Sequence, residues 1–405
     1  MHLNLAAAVD SDAPRIYLDN AATSWPKQSD AVRKAIEYIN DCGATAGRGT
    51  YSSSQIADRW VQDARRSIAR LINAPKATDI ALCSSGTHAL NAALAGLLRG
   101  GDHVITTSAE HNSVLRPLEM LRSQIGIEFD VVQADPDGRT SAEHARALVR
   151  PTTRAICIGQ ASNVTGGVVD LQPWRELADA TKSLLVVDAS QTLGYIPIDV
   201  GSARIDILAA AAHKGLRAFH GTGILFVQQA SQSALRPLMS GGTGHKSELI
   251  DGGHEWPNSI EPGNLNMPGV VSIAVAATTL NETPARLLDW HESYLRLAQG
   301  LAATEGVTIV GVCNEDLAGS LAEHRRIPVI SVRLDGWSPH DVASILNDFH
   351  GIEARAGLHC AALVHDSVGT MKDGGTLRLS PGHSTTPEEI DQTVAAVKAI
   401  LSSGT

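Results

Sequence analysis

The chain has 405 residues, 43% of them hydrophobic and 19% charged, which gives it enough apolar surface for a large core and separates it from disordered chains. The formal net charge of −10 disfavours nucleic acid as a partner, because neutralising a phosphate backbone needs clustered Lys and Arg. The five cysteines, Cys42, Cys83, Cys157, Cys313 and Cys360, are odd in number, widely spaced and free of any CxxC pair, which argues against a disulfide framework or a structural metal.

The N-terminal "MHLNLAAAVDSDAPR" has no basic start and no adequate apolar run. It reads as an arm over residues 1–15, without signal peptide or membrane span, and the expected location is the cytoplasm. Ile56, Trp60, Ala64, Ile68 and Leu71 then recur at helical spacing. "DIALCSSG" reads as a strand ending in Ser and Gly, and "THALNAALAGLL" as the helix after it. "HVITT", "EFDVV", "RAICIG", "SLLVVDAS", "DILAAAAHKG" and "GILFV" continue as strands, with helical stretches around 115–121 and 142–149. Cys83 and Cys157 fall inside these apolar runs and read as small buried hydrophobes. Strands alternating with helices imply an α/β domain, mainly parallel and covered on both faces, with its ligand at the C-terminal strand ends. This large domain is expected over 16–268. Beyond Pro268, "PVISVRL", "SPHDVASILNDF", "IEARAG", "TLRLS" and a last helix opened by Thr386-Pro387-Glu388 read as a smaller α+β domain over 269–405.

Chemistry-bearing residues stand at the strand ends. Lys214 in "AAAAHKG" follows an apolar strand, and a desolvated lysine has a lowered pKa and can attack a carbonyl. Asp188 closes "LLVVDAS", where a carboxylate can keep a pyridine nitrogen protonated. Gln191, three residues on, can reach a phenolic oxygen on the same ring. Ser85-Gly86-Thr87 between strand and helix offers N–H groups to a phosphate, although a plain capping turn looks the same. His111 follows the next strand, where an imidazole can stack on the ring or simply cap a helix.

The ordered set is Gly86-Thr87, Glu110-His111-Asn112, Ser162-Asn163-Val164-Thr165-Gly166, Asp188-Ala189-Ser190-Gln191, His213-Lys214-Gly215, Glu261-Pro262-Gly263-Asn264 and Arg355-Ala356-Gly357-Leu358-His359-Cys360. It resembles the class V aminotransferase superfamily, of pyridoxal-phosphate (PLP) fold type I, and within it the cysteine desulfurase and selenocysteine lyase group. The resemblance runs from "YLDNAAT" at Tyr17 to the last helix. It implies a mainly parallel seven-stranded sheet in the large domain and pyridoxal 5'-phosphate as cofactor, held as a Schiff base by Lys214. By matching position, Asp188 pairs with the pyridinium, Gln191 contacts the phenolic oxygen and His111 stacks on the ring. Asn163 lies near ring and substrate, and Thr87, His88 and His213 match the phosphate seat. Arg378 in "TLRLSPG" matches the arginine that grips the substrate carboxylate, and Arg355 is a second candidate there. A homodimer is implied, with Asn264 reaching the neighbouring subunit's phosphate.

Cys360 selects the reaction. A thiolate near bound L-cysteine can take its sulfur as a persulfide and leave L-alanine, and such a thiol needs a partly exposed, electropositive setting. His359 and Arg355 beside it are the candidate sources of that field. The short segment carrying Cys360 resembles the group II, SufS-like branch, in which L-selenocysteine is an alternative substrate and a protein can accept the sulfur. Other outcomes at the same site are a cysteine or cystine C–S lyase, an epimerase, or a non-catalytic regulator. The last fits poorly with an intact Lys214, Asp188 and Arg378. Three positions depart from the family pattern. Ala211 replaces a hydroxyl two residues before His213, Asn264 stands where Thr is usual, and "GLRAFHGTG" replaces a Gly-Pro turn. "SGGTGHKSE", residues 240–248, resembles a glycine-rich segment near the mouth of the site.

Overall fold

Short apolar runs become central strands here because helices cover both of their faces. The computed structural model describes residues 15–47, 49–242, 250, 255–311 and 323–403. Most of the expected N-terminal arm, Cys313 and most of 240–248 therefore lie outside the described residues.

In chain order, β1 (Ile16–Tyr17) leads into α1 (Ser29–Asp41) and α2 (Ser52–Leu71). Strands and helices then alternate through β2 (Ile80–Cys83), α3 (Gly86–Leu97), β3 (His103–Thr107), α4 (Asn112–Ile125) and β4 (Glu128–Val132). The alternation continues with α5 (Ala142–Arg146), β5 (Thr153–Gly159), α6 (Leu171–Thr181) and β6 (Leu184–Asp188). Next come β7 (Ile207–Ala211), β8 (Gly223–Val227), the short α7 (Gln229–Gln232) and α8 (Met267–Glu282). The remainder holds α9 (His291–Ala302), β9 (Val307–Val310), β10 (Ile330–Leu334), α10 (Pro339–His350) and β11 (Ile352–Glu353). It closes with β12 (Arg355–Gly357), α11 (Ala362–Ser367), β13 (Thr376–Leu379) and α12 (Pro387–Ser403).

The large sheet has seven strands in the order β2-β8-β7-β6-β5-β3-β4, with β8 antiparallel to both neighbours and every other pairing parallel. Alternate residues of each strand point to opposite faces. Ile80, Leu82, Ile156 and Leu208 therefore join the core under α1, α2, α6 and α8, whereas Ala81, Cys83, Cys157 and Ala209 join the core under α3 and α4. Burial raises the thiol pKa of both Cys83 and Cys157, so both are held as neutral, small apolar side chains.

A second core belongs to the four-stranded antiparallel sheet β12-β13-β10-β9 and its helices α9, α10 and α12. Contacts cross the expected 268/269 division in both directions. Helix α8 packs on α1 and α2 and buries Val270, Val271, Ala274, Ala277 and Leu280 in the first core. Conversely Ile16, Leu18 and Ala21 pack with Trp290, Tyr294, Leu377 and Val397, and β1 pairs in parallel with β11. The start of the chain thus laces the two parts together beside the site. Among the described residues, no helix is long and apolar enough to cross a membrane.

Candidate active site

Neighbouring parallel strands deliver their C-terminal ends to one cavity. Glu110 and His111 follow β3, Asn163 follows β5, Asp188 ends β6, and His213 and Lys214 follow β7; all six line the cavity. The N-terminus of α3 supplies Ser85, Gly86 and Thr87. Ser85 caps that helix by accepting the His88 N–H at 3.0 Å, and the first-turn N–H groups of a helix have no partner within it. Gly223 lets this helix end sit directly on β8, because a Cβ there would lie 2.3 Å from the Ser85 carbonyl carbon. Ala21 and Ala22 close one wall, and Arg355, His359 and Arg378 enter from the small domain.

The titratable groups are tuned mainly by burial. Desolvation lowers the Lys214 pKa to about 8, with Asp188 opposing the shift and Arg378 and Arg355 adding to it. His111 is pushed to about 4 by burial and the nearby Lys214, so its ring is neutral; its Nδ1 accepts the Ser113 N–H at 3.0 Å and caps α4. Burial and Lys214 hold His213 at about 3, and its Nδ1 lies 3.0 Å from Thr23 Oγ1. Glu110 is raised to about 8, chiefly by burial, and accepts a hydrogen bond from Thr107 Oγ1 at 2.6 Å. Arg378 is 1% exposed, pairs with Asp19 at 2.6 Å and donates to the Asn163 carbonyl at 3.2 Å.

Cys360 lies at the margin of this cavity. It is exposed, and Arg355 Nη2, from a residue that lines the cavity, lies 3.6 Å from its sulfur. His359 does not share that role. Its ring is 3% exposed, its Nε2 bonds the Thr376 hydroxyl at 3.0 Å, and burial and Arg378 lower its pKa to about 2. A neutral imidazole turned into the core cannot stabilise a thiolate by charge, so Arg355 alone of the two expected groups is placed to do so.

One further expectation is corrected. The His88 ring does not line the cavity, because its Nδ1 folds back to accept the Ser84 N–H at 3.2 Å. Asn264, expected to reach a neighbouring subunit's phosphate, is exposed and accepts from Thr45 Oγ1 at 3.2 Å. Its segment is anchored by the buried Glu261, which pairs with Arg65 and accepts the Leu82 N–H at 2.6 Å. Asp19, Glu110 and Ser190 also line or support the site without a sequence-based role. The Ser190 hydroxyl accepts the Ala211 N–H at 3.1 Å, so a hydroxyl stands beside Ala211 after all.

The residues present fit pyridoxal phosphate. Gln191 Oε1 and Arg378 Nε are buried polar atoms without a protein partner among the described residues, and both residues line the one cavity. Unmet groups of this kind call for a polar occupant. An amine, a strand-end carboxylate and a helix N-terminus around that space match a carbonyl, a pyridine nitrogen and a phosphate in turn.

A doubly wound sheet with a lysine and a carboxylate at its strand ends defines a cofactor-dependent α/β enzyme of this type. The chain belongs to the aminotransferase class-V family, whose model matches residues 16–393. It is 32% identical over 380 residues to a probable cysteine desulfurase of Methanothermobacter thermautotrophicus, covering 93% of this chain and 92% of that one. A cysteine desulfurase from Thermococcus onnurineus, solved as the apo form, superposes with a TM-score of 0.86 at 26% identity, covering 99% of each chain. A cysteine desulfurase from Escherichia coli gives a TM-score of 0.83 at 26% identity, over 95% of this chain and 94% of that one.

Proposed function

We propose that the protein is a pyridoxal-phosphate-dependent cysteine desulfurase that passes the sulfur of L-cysteine to Cys360 and releases L-alanine. The observation that carries this reading is the exposed Cys360 thiol beside Arg355, at the edge of the cavity that holds Lys214 and Asp188. The names of the relatives support the same activity.

Lys214 would hold the cofactor carbonyl, Asp188 its ring nitrogen, Gln191 its phenolic oxygen and His111 its face. Ser85, Thr87, His213 and the first turn of α3 would seat the phosphate. Bound pyridoxal phosphate supplies an electron sink that labilises bonds at the substrate's α-carbon. The substrate carboxylate would meet Arg378, whose Nε has no protein partner among the described residues and whose planar fork suits a carboxylate. Asp19 keeps that guanidinium fixed before substrate arrives. Lys214, depressed to about 8, exchanges protons near neutrality. The Cys360 thiolate, steadied by Arg355, attacks the substrate sulfur. The carbon–sulfur bond breaks, its electron pair stays with carbon, a proton completes alanine, and the sulfur remains on Cys360 as a persulfide. Its exposure leaves that persulfide open to an acceptor molecule.

We also infer a homodimer, because Asn264 is exposed and does not line its own cavity while the resemblance assigns it to a neighbour's phosphate.

Incubation with L-cysteine, with alanine and pyruvate assayed together, tests the activity. The expected product is alanine; Cys360→Ser loses at least about a hundredfold in alanine release, as removal of a nucleophile implies. Pyruvate with free sulfide, unaffected by that substitution, would instead identify a C–S lyase.

A further inference from the structure

The backbone that presents Cys360 is unusual. His359 and Cys360 both have positive φ, 50° and 58°, the left-handed region that is unfavourable for a residue with a Cβ. Two such residues in succession persist only where their surroundings hold them. Here both of their carbonyls are held, one by a residue that lines the cavity and the other by the start of α4. The Asn163 side-chain amide donates to the His359 carbonyl at 2.7 Å, and the Asn112 N–H donates to the Cys360 carbonyl at 2.8 Å. The His359 ring adds a third tether through Thr376 on β13. Asn163 is itself 5% exposed, lines the cavity, and is tied by its own carbonyl to Arg378.

We propose that Asn163 is a positioning residue for Cys360, its side-chain amide holding the left-handed His359–Cys360 backbone so that the sulfur stays within reach of Arg355. Without that donor the pair relaxes toward ordinary φ, and the sulfur swings away from the guanidinium. The charged groups facing Cys360 are Arg355 of β12 and Arg378 of β13; the rings of His359 and His111 are neutral, and Asn112 of α4 brings no charge. Arg355 therefore supplies the field that the tether preserves. The functional meaning rests on the reading of Cys360 as the sulfur-carrying thiol, but thiol reactivity needs no substrate and can be measured on the protein as purified.

The test is the iodoacetamide alkylation rate of Cys360 near neutral pH, located by peptide mass spectrometry. Half-buried Cys42, whose sulfur donates to the Ser53 carbonyl at 3.3 Å far along the chain, serves as the internal control of folding. Asn163→Ala and Asn163→Leu, the second keeping the volume without the donor, should each slow Cys360 alkylation near neutrality roughly three- to fivefold, the scale of one exposed charge contact, with Cys42 unchanged. Arg355→Ala should do the same, and the Asn163/Arg355 double variant should be no slower than either single one. A wild-type rate in both Asn163 variants, or effects that multiply in the double variant, would overturn the proposal. Those outcomes leave the desulfurase reading standing, since alanine release from L-cysteine judges it separately.

Discussion

Glu110 shows how one buried side chain sets a pH dependence. Its folded pKa of about 8 lies above the ordinary 4.5, so between these values the folded chain keeps a proton that the unfolded chain has lost. Stability therefore falls as pH rises from about 4.5 to 8. Glu110→Gln should remove that loss, and thermal unfolding of the apoprotein should show the variant gaining on wild type between pH 5 and 8; a constant difference would contradict the assignment. Lys214 carries the opposite sign. Its folded pKa of about 8 lies below the ordinary 10.5, so the buried ammonium destabilises the apoprotein below about pH 8 and the penalty fades toward 10.5. Lys214→Met should raise the apoprotein Tm at pH 7 while abolishing covalent retention of pyridoxal phosphate after borohydride reduction. Such a gain in stability with a loss of function is what a strained catalytic group predicts.

Single elements contribute geometry that no one residue supplies. Helix α3 aims its N-terminus into the cavity because Ser85 caps it and Gly223 lets it rest on β8. Ser85→Ala should lower unfolding stability by about 1 kcal/mol, read from the urea midpoint, as loss of a cap does. It should also weaken pyridoxal phosphate more than unphosphorylated pyridoxal, since only the former has a group for that helix end; equal weakening would contradict a phosphate seat there. The elements were largely legible in the sequence. Runs such as "DIALC" and "SLLVVD" are apolar on both faces, as strands are in a sheet covered by helices on both sides. The direction in which side chains turn was less legible. His88 follows motif residues closely, yet its ring folds back on Ser84. Rotamers are decided by tertiary neighbours that a motif does not name. His359 sits beside Cys360 in sequence, but the left-handed backbone sends its ring inward.

At the scale of the whole molecule, the site is assembled from parts far apart in the chain. Asp19 meets Arg378 across 359 positions, and β1 joins β11. Nothing local in "YLDNAAT" announces an ion pair to "TLRLS", which is why Asp19 was invisible to sequence reasoning. The apolar α8 was equally hard to place, because helices buried on most faces lack a stripe that marks their partner. The inferred dimer extends the same logic to a second copy. Protomers carrying Lys214→Ala, mixed with protomers carrying Asn264→Ala, should regain pyridoxal-phosphate binding of wild-type affinity in one site of each mixed dimer, because that site combines an intact lysine with the partner's intact asparagine. Absence of any high-affinity site in the mixture would contradict a shared phosphate seat.

The central claim is that sulfur leaves the substrate onto Cys360. It is tested most directly by mass spectrometry of the protein after brief exposure to L-cysteine, with persulfides trapped by alkylation. One added sulfur on the peptide containing Cys360, absent in Lys214→Ala, is the predicted result. Alanine formed at full rate with no added sulfur on Cys360 would contradict it.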